Sequence, residues 1–144
     1  MVSLIGGLVG GLVATIVMTA FMMALGDDSP PPTALFYSKY LGDGEPEEYM
    51  MQGMFLHAMY GIGAGVVFAY LGVAGLMAFT PLTLANGLIN GLVYGFILFI
   101  GAAVFWMKIV LDIDAEPPQV AMFLLFHLIY GGVLGAWVGL GILG

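Results

Sequence analysis

Four stretches of this chain, Val2–Leu25, Met51–Met77, Leu82–Met107 and Val120–Leu143, contain no charged side chain at all. Each is longer than the roughly 20 apolar residues needed to cross ~30 Å of hydrocarbon. In lipid every backbone N–H and C=O must find a partner inside the protein, which leaves helices and closed barrels as the only spanning structures. A barrel requires polar and apolar residues to alternate. That alternation is absent, so the expectation is an all-α membrane protein with four transmembrane helices in an up-down bundle. Only 8% of the chain is charged and 62% is hydrophobic, against about a quarter charged in a soluble domain.

The eleven charged residues fall in two short zones: Asp27 to Glu48, and Lys108 to Glu116. With four spans, both zones lie on one side of the bilayer, and the chain ends share the other side with the Thr80–Pro81 turn. Lys39 and Lys108 are the only basic residues. By the positive-inside rule they favour a cytoplasmic acidic side, in a plasma-membrane protein with both termini outside. Two lysines cannot neutralise a phosphate backbone, so nucleic acid is excluded as a partner. The acidic excess suits a halophilic, archaeon-like source. The absence of cysteine removes disulfides and thiolate metal sites. The start of the chain lacks a basic n-region, and its apolar run reads as a retained first span. Between the first two spans, Pro30-Pro31-Pro32 should stop one helix and start another. Thr33 to Leu41 then reads as a short helix at the interface.

The spans repeat. Gly7-Leu8-Val9-Gly10-Gly11-Leu12-Val13 in the first matches Gly87-Leu88-Ile89-Asn90-Gly91-Leu92-Val93 in the third, offset by 80 positions. The pattern H-x-x-Y-G-x-x-x-G begins at His57 in the second and at His127 in the fourth, offset by 70. The chain therefore reads as two tandem two-helix units, about 1–78 and 81–144, related by a pseudo-two-fold axis along the membrane normal. Small residues four apart give each span a smooth face for close helix contact: Gly7/Gly11, Gly61/Gly65, Gly87/Gly91 and Gly131/Gly135. Such faces suit tight packing within the bundle, with a backbone-lined pore as the alternative, and they should also mediate association into a homo-oligomer or with other membrane subunits in the lipid bilayer. Asn86, Asn90, Thr15 and Thr19 are expected to bond across helices.

His57 and His127 are the only histidines, and ionisable groups inside spans are often functional. Tyr60 and Tyr130 follow one turn later on the same faces. These four are the candidate ligand or pocket residues. Paired imidazoles suit a transition metal or haem b. Met50, Met54 and His57 lie on one helical stripe, and nine of the eleven methionines occupy the half nearest the acidic side, which would favour copper. Against this stands the plain alternative: neutral imidazoles bonded between helices, and Met as flexible apolar filling. No nucleophile triad, phosphate loop or dinucleotide fingerprint is present. The sequence thus points away from an enzyme and toward a packing or accessory subunit, with metal or haem binding, or solute permeation through an oligomer, as the other readings.

The segments GGLVGGLVATIVMTAFMM (6–23) and FHLIYGGVLGAWVG (126–139) resemble an uncharacterised family of small four-helix integral membrane proteins of archaea and bacteria, catalogued as a domain of unknown function. The resemblance implies the four-span fold and carries no activity with it.

Overall fold

A computed structural model describes residues 2–26 and 28–144; Met1, and Asp27 of the first acidic zone, lie outside the described residues. The chain is all-helical. Helix α1 covers Leu4–Leu25, α2 Pro32–Tyr40, α3 Met50–Val73 and α4 Leu84–Gly101; α4 runs on as a π-helix over Ala102–Val110, and α5 covers Pro117–Gly139. A single 3-10 turn, Pro46–Tyr49, leads into α3. Among the described residues four helices are long and apolar enough to cross a membrane. Large apolar side chains such as Ile5 (70% exposed), Met23 (82%) and Ile109 (65%) face outward, which is tolerable in lipid and costly in water.

Local chemistry sets the helix ends. Ser3 and Thr83 cap α1 and α4 by accepting from the backbone N–H of Gly6 and Asn86. At α5, Glu116 and Gln119 form a capping box with Pro117 at the first position, so the span begins three residues before Val120. Gly75, at φ +70, ends α3 before Met77, because a left-handed residue just past a helix favours glycine. The third span differs most from expectation. Its last nine residues have π geometry, and it stops only where Asp112 turns the chain at φ 58.

The glycine faces pair within the chain. In the first hairpin Gly7 and Gly11 of α1 meet Gly65 and Gly61 of α3. In the second, Gly87 and Gly91 of α4 meet Gly135 and Gly131 of α5. A Cβ placed on any of these eight would come within about 3.0 Å of partner backbone, or of Thr15 in the case of Gly61. Dispersion between such closely approached backbones substitutes for the hydrophobic drive that lipid cannot supply. The tight bundle packing expected of these faces is made inside each hairpin, between its own two spans.

The hairpins join through α1 and α5, which pack on one another. On the opposite side, α3 and α4 meet through side chains. The Phe68 and Tyr94 rings lie 5.1 Å apart, and the Tyr94 hydroxyl donates to the Ala64 carbonyl at 2.8 Å. Phe68 and Leu134 are the largest fully buried side chains, and with Val138 they fill the half of the bundle toward the chain ends. The polar residues inside the spans behave differently from expectation. Asn90 pairs with both the N–H and the C=O of Phe79, and Asn86 donates to the Pro81 carbonyl, so both fasten the α3–α4 loop. Thr15 donates to Gly11 of its own helix. Each satisfies a nearby carbonyl or loop amide first, because a partner within one turn or in the adjoining loop needs no gap between helices.

Helix α2 is folded back under the bundle on the acidic side. Ala34, fully buried, seats against Gly53 of α3. At its other end Lys39 donates to the carbonyls of Val110 and Leu111, and Tyr40 to Val110. These carbonyls close the π-helix and have no partner in a following turn, so a cation there is doubly suited. Lys108 pairs with Asp114 at the surface, an exposed contact of small energetic weight.

Candidate functional site

On the acidic half of the bundle the core gives way to a cavity of about 220 Å³. Its walls come from all four spans, and its floor from Pro31, Thr33 and Phe36 at α2. Helix α1 presents Thr15, Met18 and Met22; α3 presents His57, Tyr60 and Ala64, and α5 Phe123, His127 and Tyr130. In each case steps of three, four or seven place these residues on one helix face. The fourth wall is Ala102, Trp106 and Met107 of the π-helical segment, a rare backbone form whose single-turn bulges are frequent at functional sites.

The structure brings His57, His127, Tyr60 and Tyr130 to this single cavity. Residues from two different hairpins meet there, so the site exists only when the whole chain is folded. The two histidines are held differently. His127 is 6% exposed, lies edge-on to Phe99 and Phe123, and its Nδ1 is 2.8 Å from the carbonyl of Phe123. A carbonyl only accepts, so Nδ1 carries the proton, and a neutral ring then keeps its lone pair on Nε2. His57 has its Nε2 buried without a partner, and so does the hydroxyl of Thr33 on the floor. Two orphaned polar atoms on residues that line one cavity are a cost the fold carries.

The tyrosines also divide. The Tyr130 hydroxyl donates to the Gly61 carbonyl at 2.5 Å, binding α5 to α3 across the bundle. Tyr60, its counterpart in the sequence pattern, is 42% exposed at the cavity's edge. Replacing Tyr130 or Tyr94 with Phe removes a buried interhelical hydrogen bond, of the kind worth about 0.6 kcal/mol on average and up to ~1.7 in a membrane bundle. Each variant should melt a few degrees below the parent in detergent; the double variant should lose both increments. A melting point unchanged in all three would mean that these bonds do not join the hairpins.

The methionine stripe does not converge on the histidines. Met50 and Met54 are 40% and 37% exposed and line no part of the cavity. The cause is α2, whose Ala34 docks on Gly53 one turn before His57 and occupies the sector where that stripe would continue. Met18, Met22 and Met107 stand on the lining instead. Among the described residues no cluster of three or more His, Asp or Glu side chains is placed to hold a metal. A cavity of about 220 Å³ is also below the roughly 300–1,000 Å³ usual for drug-sized ligands. It takes a small group; a porphyrin ligated on both faces does not fit.

Thr33, Trp106 and the π-helix were not foreseen as site elements. Met18 and Met22 follow Thr15 at helical spacing, a pattern visible in the sequence. Thr33 reaches the site only because α2 folds back. Comparison with family models, with curated proteins and with solved structures finds no match for this chain.

Proposed function

We propose that the protein is a non-enzymatic membrane protein that binds a small molecule between its two hairpins, with His57 and His127 as the polar end of the site. The observation that carries this reading is the meeting of both histidines on one largely apolar cavity, two of whose lining residues, His57 and Thr33, hold a buried polar atom without a partner. An apolar pocket with a few convergent polar groups is the general form of a small-ligand site. Permeation finds less support, because Phe68, Tyr94 and Leu134 fill the bundle beyond the cavity. The glycine pairings recur at offsets of 80 and 70 positions, which supports a tandem duplication of one hairpin with the site at its pseudo-axis. The two lysines favour a cytoplasmic acidic side in a plasma membrane.

A second reading, a soft monovalent metal such as Cu(I), draws on Met18, Met22 and Met107 lining the cavity beside both imidazoles. One preparation tests both. The protein is purified in mild detergent, denatured, and its extract analysed by mass spectrometry and for metals. The expected result is a near-stoichiometric small organic molecule that is lost from the His57→Ala/His127→Ala variant. Stoichiometric copper would favour the second reading. Neither, in protein that also fails to take up added ligand, would overturn the site.

A further inference from the structure

Given the ligand site proposed above, on which this inference rests, the shape of the cavity and the donor balance of its walls narrow the ligand further. We infer that the cavity is filled from the bilayer and takes a membrane-dissolved phenol or alcohol, whose hydroxyl donates to His127 and whose apolar tail points toward the Tyr60–Trp106 pair.

The route follows from which walls are closed. Toward the acidic side, α2 lies across the opening, held by Ala34 on Gly53 and by Lys39 and Tyr40 on the end of the π-helix. Toward the chain ends, the Phe68–Tyr94 pair and Leu134 close the bundle. Among the residues lining the cavity only Tyr60 and Trp106 are exposed, at 42% and 36%. They stand on α3 and on the π-helical end of the third span, the one side where the hairpins meet through side chains. Both belong to spans, so this side faces lipid; the Trp106 indole donates to the Tyr60 hydroxyl across it, and entry parts that one bond. Tyr and Trp combine an apolar ring with one polar atom, which suits the edge of such an opening.

The chemistry follows from what the walls have left to offer. His127 spends its proton on Phe123 and keeps an acceptor; Tyr130 spends its proton on Gly61. His57 Nε2 and Thr33 Oγ1 are uncommitted. Thr33 can donate or accept, whereas His127 Nε2 can only accept, so the group that meets His127 must bring a donor of its own, and a buried acceptor left without one discriminates against molecules that lack it. The donor must also be neutral in charge. Neither lysine lines the cavity, so a carboxylate or phosphate head would enter uncompensated. A hydroxyl on an apolar body meets both conditions.

The test uses the full chain in nanodiscs, with 4-butylphenol and its methyl ether, 4-butylanisole, as probes of nearly equal apolar shape. Binding is read from tryptophan fluorescence, with partition into empty nanodiscs subtracted. The phenol should bind saturably and about tenfold more tightly than the ether, the factor expected for one buried acceptor satisfied or left bare. His127→Phe should remove that preference, and His127→Gln, which retains an acceptor, should keep part of it. Equal affinity for phenol and ether in the unaltered protein would overturn the inference. Binding of Cu(I) alone would overturn it too, while leaving the cavity as a metal site. Failure of all three probes to bind would bring down the site itself.

Discussion

Gly91→Leu should leave no correctly folded monomer, while Gly63→Ala should fold normally and melt at or slightly above the parent temperature. The two positions are both helical glycines, yet their surroundings are opposite. A Cβ at Gly91 would lie 2.7 Å from Gly135 Cα and closer still to the Gly131 carbonyl, which is backbone and cannot swing aside. A Cβ at Gly63 meets nothing within 4 Å. Overpacking a well-filled contact by even a methyl group commonly costs about 1–3 kcal/mol. An isobutyl group pressed against two glycines must instead push α4 off α5. At Gly63 alanine should gain roughly 0.5–1 kcal/mol from helix propensity alone. Size-exclusion and thermal melts in mild detergent separate the outcomes. If the glycine faces joined separate chains, Gly91→Leu would give a folded species of smaller size. Loss of the folded peak itself is the result expected from intrachain pairing, and a folded, well-behaved Gly91→Leu protein would contradict the packing described here.

The same glycines show how far the sequence reaches. Uncharged length alone predicts four spans, and the offsets of 80 and 70 positions align the two glycine rows that do pair. Composition cannot say whether a smooth helix face meets its neighbour in the same chain or in another, because the van der Waals requirement is identical. Depth was legible and azimuth was not. His57, His127 and most methionines lie in the half where the cavity forms, yet Met50 and Met54 point away from it while Met18, Met22 and Met107 line it. That division depends on where α2 docks, a contact between residues 34 and 53 that no local periodicity encodes. The π-helix at Ala102–Val110 escaped for a related reason. Its residues mark no particular helix type, and its neighbours are distant in sequence: Trp106 packs edge-on to Phe36, and the Val110 carbonyl accepts from Lys39 and Tyr40.

Gly53→Leu should detach α2 from the bundle and open the cavity to water on its acidic side. Ala34 is fully buried, and a Cβ on Gly53 would stand 2.7–2.8 Å from its N, Cα and Cβ. A leucine there leaves α2 no seat, and the bonds from Lys39 and Tyr40 would be left to hold it alone. The chain contains no cysteine, so a single Thr33→Cys substitution on the cavity floor gives a clean reporter for a water-soluble maleimide. In the parent background, labelling requires α2 to open and should be slow, since reactivity then follows the local opening equilibrium. Adding Gly53→Leu should speed it by well over tenfold. Lys39→Ala with Tyr40→Phe should raise it by about a hundredfold, because the three bonds removed are worth on the order of 1 kcal/mol each. Labelling at one rate in all three backgrounds would show that α2 does not close the site. Both sets of substitutions act alike on ligand entry. If α2 is the aqueous door and Tyr60 and Trp106 frame the lipid one, opening α2 should admit water-soluble phenols without changing access for those already dissolved in the bilayer.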